Sequence, residues 1–135
     1  MKLFLTSLLI AISFTLNTPT AFSEVLADDD ELNTSMHMFA DDMGKANAQA
    51  SNCSDEEALS RVRILRRRSL ERFAEAGFPL KSVEWFDDYI QKNNKDETGR
   101  MGRRCDEESL KTFMKSVEWS YKDLADVLSR YFVPR

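Results

Sequence analysis

Apolar residues recur along most of this chain at intervals of three and four, the period of a helix with one buried face. Leu32, Met36, Phe39, Met43, Ala46 and Ala50 fall on one such stripe, behind an acidic start at Asp28, Asp29, Asp30 and Glu31. Negative charge there suits the positive end of a helix dipole. The pattern predicts a first helix over residues 28–50. Ser54-Asp55-Glu56-Glu57 matches the S-x-x-E capping box and predicts a second helix running to Ala76. Its apolar face is Ala58, Leu59, Val62, Leu65 and Phe73, and Gly77 followed by Pro79 supplies a stop. Val83, Phe86 and Ile90 share a face of a shorter third helix, 80–93, which Asn93-Asn94 is expected to end. The fourth, 106–132, carries Leu110, Met114, Val117, Tyr121, Leu124, Leu128 and Tyr131 at alternating steps of four and three, with Phe113 and Phe132 widening the stripe. No segment sustains the period-two alternation of a strand. The fold class read from this pattern is all-α, a small antiparallel four-helix bundle in up-down-up-down order.

The first residues follow a different rule. Met1-Lys2 is a short basic start, Leu3–Leu16 is an apolar run, and Ala21-Phe22-Ser23 places small residues at the −3 and −1 positions of a cut before Glu24. That is the layout of a secretory signal peptide. An apolar core of this length is short for a membrane span. A second cut is legible after Val25-Leu26-Ala27. The domain reading is a signal peptide over 1–23 and a single helical domain over 24–135, periplasmic or secreted, with no membrane association after cleavage.

Composition sharpens this. Cleavage removes only Lys2 among the charged residues and takes the net charge from −4 to −5, a poor balance for a nucleic-acid binder. The chain has 2 cysteines, Cys53 and Cys105, and in an exported protein an even count argues for one disulfide. Each precedes one of the two helices that run in the same direction in an up-down bundle, so both are expected at one end.

Candidate chemistry is sparse. Met36-His37-Met38 cannot converge on one metal from a helix, where neighbours point about 100° apart; His37 has Asp41 one turn away as a hydrogen-bond partner. Arg61, Arg63, Arg66, Arg67, Arg68 and Arg72 crowd the second helix, while residues 24–57 hold many acids and a single lysine, which predicts that the first two helices pair by charge. Arg66 points toward the core and needs a carboxylate partner or an exit to solvent. Trp85 and Trp119 both point away from their apolar stripes, and exposed indoles favour an interface. Each closes a copy of Lys-Ser-Val-Glu-Trp, at 81–85 and 115–119. Residues 94–104, NKDETGRMGRR, lack periodicity and read as a protruding cationic loop, with Arg100, Arg103 and Arg104 on it and Cys105 at its base. No nucleophile elbow, phosphate-cradling glycine loop or H-E-x-x-H motif is present, so the chain reads as a non-enzyme with no cofactor.

One wider pattern resembles a known family. Cys53, the helix stop at Phe73, Ala76 and Gly77, the short aromatic helix with Leu80 and Tyr89, then Gly99, Cys105 and Leu110 resemble the periplasmic immunity proteins that neutralise type VI secretion amidase effectors. The likeness covers about residues 50–112 and departs from the family pattern at Asp106-Glu107-Glu108-Ser109. It implies a homodimer that blocks a peptidoglycan-degrading enzyme, in part by loop insertion, and the loop suited to that here is 94–104.

The functional expectation is therefore an exported helical protein that binds and inhibits a protein partner, in its sharpest form an immunity protein against a cell-wall-degrading effector. Its expected partner-binding residues are Trp85, Trp119, Arg100, Arg103 and Arg104. The alternatives are a ligand- or metal-carrying bundle and a periplasmic chaperone or stress protein. An absorption spectrum with metal analysis separates the first, and a client aggregation assay the second.

Overall fold

The computed structural model describes residues 26–133, so the expected signal peptide, 1–23, lies outside the described residues. Those residues form four helices: α1, Asp29–Asn52; α2, Glu56–Glu75; α3, Leu80–Met101; and α4, Glu107–Arg130. No strand occurs among the described residues; one parallel bridge, with Ala27 N–H donating to the Arg130 carbonyl at 3.0 Å, ties the segment before α1 to the end of α4.

Local chemistry accounts for the boundaries. Asp28, Asp55 and Asp106 cap α1, α2 and α4, their side chains accepting from the backbone N–H of Glu31, Ala58 and Ser109 at 2.8, 3.0 and 3.1 Å. The cap of α2 is thus Asp55, one residue beyond the expected Ser54, which takes the left-handed conformation with φ 50°. Gly77, at φ 98°, ends α2 in a Schellman motif: Phe78 N–H donates to Phe73 O at 3.2 Å and Gly77 N–H to Ala74 O at 3.0 Å. The accompanying apolar contact is Phe73 on Phe78, ring centroids 5.0 Å apart.

The third helix corrects the sequence reading. The expected loop 94–104 is helical as far as Met101, and Gly102 at φ 70° ends it. The inward stripe does not stop at Ile90; it continues through Asn93, Glu97 and Met101 at helical spacing, but in mostly polar residues that a hydrophobic pattern does not register. Glu97 is buried beneath this turn. Gly44 of α1 allows the approach: a Cβ there would lie 2.9 Å from both the Asn93 carbonyl oxygen and Glu97 Cγ.

Helix α1 packs chiefly on α3 and α4, and more lightly on α2. Helices α3 and α4 do not pack on each other, so packing order departs from chain order. The centre is aromatic. Phe39, Phe73 and Phe86 are essentially inaccessible, with Phe73 and Phe86 centroids 4.5 Å apart and Phe39 meeting Phe86 at 6.3 Å. Leu65, Ile90, Val117 and Leu124 fill the space around them. Phe132, expected to widen the α4 stripe, is instead 73% exposed beyond the end of that helix.

Polar contacts then set which helix meets which. Arg66, half-buried, finds a carboxylate partner, donating Nε and Nη2 to the two carboxylate oxygens of Asp87 at 2.6 and 2.8 Å. Arg61 pairs with Glu118 on α4 in the same two-pronged way. Helices α1 and α2 do pack on each other, but these two α2 arginines pair with α3 and α4. Helix α1 reaches α4 through Ser35 donating to Asp123, Asp42 accepting from Ser120, and Glu31 accepting from Arg130.

Candidate functional site

At one end of the molecule Cys53 and Cys105 are bonded, S–S 2.02 Å, across 52 residues. The bridge joins the C-terminal cap of α1 to the connection before α4. That connection is held down on both sides. Asn52 Nδ2 donates to the carbonyls of Gly102 and Arg104 at 3.0 and 3.2 Å, and Gln49 Oε1 accepts from Asp106 N–H at 3.0 Å. Gln49 Nε2 also donates to the Arg104 carbonyl at 3.4 Å, and a segment tied by a disulfide and these hydrogen bonds is a short cross-link between helices rather than a projecting loop. Arg100 lies on α3, is itself exposed, and donates to the buried Glu97 carboxylate at 2.9 Å. Arg103 and Arg104 are exposed.

The two indoles stand elsewhere. Trp85 is 57% exposed and Trp119 60% exposed. The repeated Lys-Ser-Val-Glu-Trp segments explain both: Val83 and Val117 turn to the core, and two residues on, about 200° around the helix, each Trp faces outward. The indoles sit on helices that do not pack on each other. Trp85 and Arg100 are separated by roughly 22 Å along α3 at 1.5 Å per residue. The five residues expected to bind a partner therefore belong to distinct surfaces.

Trp85 has the more developed surroundings. Its indole lies nearly parallel to the Tyr89 ring, 8° and 5.7 Å between centroids. Tyr89 in turn meets His37 of α1 edge-on, and its hydroxyl is hydrogen-bonded to Nδ1. Asp41, the expected partner of His37, bonds Lys45 at 2.9 Å instead. Beside this ledge a cleft of about 370 Å³ opens between α1, α3 and the end of α4. Leu32, Met36, Phe73 and Phe78 supply its apolar lining; Asn33, Ser82, Asp29 and Tyr131 bring polar groups. Phe78 and Tyr131 stack at 5.7 Å and 14°. The Tyr131 hydroxyl donates to Asp29 Oδ1, and this bond to a carboxylate holds the phenol above its usual pKa. The i, i+4 spacing of Trp85 and Tyr89 was legible in the sequence, but Phe78, Tyr131 and Asp29 reach the same place only through tertiary contacts.

Among the described residues no group of three or more His, Cys, Asp or Glu side chains is placed to hold a metal ion, and no helix is long and apolar enough to cross a membrane. The class this structure defines is a four-helix, all-α domain with a disulfide. Comparison with protein-family models, with curated proteins and with solved structures finds no match to the chain.

Proposed function

We propose that this is an exported, antiparallel four-helix bundle that binds and inhibits a protein partner in the bacterial envelope, and that the partner is a peptidoglycan-degrading enzyme. The leader-like residues 1–23 and the disulfide support export. The observation that carries the binding reading is Trp85: a large apolar ring left more than half exposed, lining a cleft of mixed apolar and polar character, on a cross-linked helical scaffold. Exposed Trp and Tyr on rigid elements are characteristic binding anchors, because they present area at low entropic cost. The resemblance in the cysteine and aromatic pattern supports the choice of a cell-wall hydrolase as partner.

The test is affinity capture from an envelope extract, followed by an assay of the captured protein on peptidoglycan with and without this chain. Wild type, Trp85→Ala and Trp119→Ala are compared. Capture and inhibition are expected to fall with Trp85→Ala while urea unfolding is unchanged. Equal capture by wild type and Trp85→Ala removes the ledge from the interface; a captured hydrolase whose activity is undiminished refutes inhibition.

A further inference from the structure

The cleft beside Trp85 combines two features that its role as an anchor does not require: an aromatic lining and a carboxylate set on its rim. We infer that it is the seat for an arginine side chain of the protein partner, an inference that rests on the partner-binding reading above.

Three observations carry it. First, aromatic and aliphatic side chains, Phe73, Phe78, Trp85 and Tyr131 with Leu32 and Met36, share the lining with polar groups. Trp85 has one ring stacked on it, Tyr89, so its other face has no ring partner among the described residues. An indole face is the strongest cation–π acceptor among the side chains. Second, Asp29 lines the same cleft, and the Tyr131 hydroxyl fixes one of its oxygens. A positioned carboxylate beside an open aromatic face offers a planar cation both a stacking surface and a hydrogen-bond acceptor. Third, the surrounding charge has the matching sign. Asp28, Asp29, Asp30 and Glu31 gather at the start of α1, and all four are exposed. Arg130 offsets only part of this, since it is committed to Glu31 and to Asp126 at 2.6 and 3.1 Å. The cleft volume of about 370 Å³ is at the small end of ligand pockets and has room for an arginine side chain.

Arginine fits better than lysine. Its flat guanidinium stacks on a ring while donating from its edge, whereas an ammonium is a compact, strongly hydrated point charge. A neutral apolar side chain would fill the volume but leave the Asp29 carboxylate without a counter-charge.

The experiment needs no knowledge of the partner. The full disulfide-bonded chain, labelled with ¹⁵N, is titrated with acetyl-arginine N-methylamide and, in parallel, with the citrulline analogue, which keeps the shape and loses the charge. The expected result is a saturable shift of the Trp85 indole N–H with the arginine probe at millimolar concentration, at least tenfold weaker with citrulline, and absent at Trp119. Asp29→Asn is expected to weaken arginine binding about tenfold, with Glu108→Gln, exposed at the far end of α4 from Tyr131, as a charge-matched control that changes it little. Equal response to citrulline, equal shifts at both indoles, or no saturable shift at Trp85 would each overturn the assignment. The two readings fail separately. Arginine binding with no hydrolase captured sinks the inhibitor reading alone, and hydrolase inhibition with no arginine response sinks the pocket alone.

Discussion

Gly44 lies in the middle of α1, where glycine normally weakens a helix by roughly 1 kcal/mol relative to alanine. On helix propensity alone, Gly44→Ala would stabilise the protein. The structure reverses that sign. An alanine Cβ would sit 2.9 Å from the Asn93 carbonyl oxygen and 2.9 Å from Glu97 Cγ, and the first of these is backbone, which cannot rotate away. Restoring ordinary contact requires α1 and α3 to separate by about half an ångström at their closest point, in an interior packed to crystal-like density. Glu97 would also have to shift, and its carboxylate is held by Arg100 at 2.9 Å. Overpacking of this kind costs about 1–3 kcal/mol. Set against the propensity gain, Gly44→Ala is expected to destabilise the fold by up to about 2 kcal/mol, a fall in Tm of up to about 10 °C for a domain near this size. Gly99 is the internal control. It lies within α3 and a Cβ there meets nothing within 4 Å, so Gly99→Ala is expected to stabilise by about 0.5–1 kcal/mol. Urea unfolding of the oxidised protein, followed by far-UV circular dichroism, measures both. If the two substitutions shift the midpoint in the same direction, the close approach of α1 and α3 at Gly44 is wrong.

Three further outcomes are expected. Replacing Cys53 and Cys105 together by serine opens a 52-residue link, worth about 4 kcal/mol in the chain-entropy treatment, and the double variant should unfold at much lower urea with little change in helicity before the transition. Acid should weaken the fold through Asp87 and Glu118, whose carboxyls are held below their usual pKa by hydrogen bonds from Arg66 and Arg61. Because the folded values are depressed, this stabilisation is complete above the unfolded carboxylate range near about pH 4 and is lost as pH falls through the folded values. The urea midpoint is expected to drop steeply there, and Arg66→Gln should flatten the slope; an unchanged slope would count against the Asp87 pairing. Arg100→Glu places a second carboxylate beside buried Glu97 and is expected to lower thermal stability, whereas Arg103→Glu, in the exposed connection, is expected to leave it nearly unchanged.

Much of the architecture is written in local chemistry. The apolar steps of three and four predict four helices, the acidic helix starts and Gly77 place most of their ends within a residue or two, and the phase of Arg66 shows that it needs a carboxylate partner or an exit to solvent. The outward phase of Trp85 and Trp119 is legible in the same way and both are exposed. The second half of α3 is not legible, because Asn93 and Glu97 continue an inward stripe without hydrophobic residues and the glycine that permits it lies on another helix.

Periodicity reports which face of a helix is buried, but not which helix buries it. The chain by itself determined where most of the helical turns form and which apolar and indole side chains of those turns point in or out, because these depend on neighbours three and four residues away. Only the tertiary structure decided that α1 runs between α3 and α4, that the arginines of α2 bypass it for Asp87 and Glu118, and that Asp29, Phe78, Trp85 and Tyr131 line one cleft. Those groupings join residues up to a hundred positions apart, and they follow from side-chain volume, close approach and charge pairing in space, none of which a linear pattern encodes.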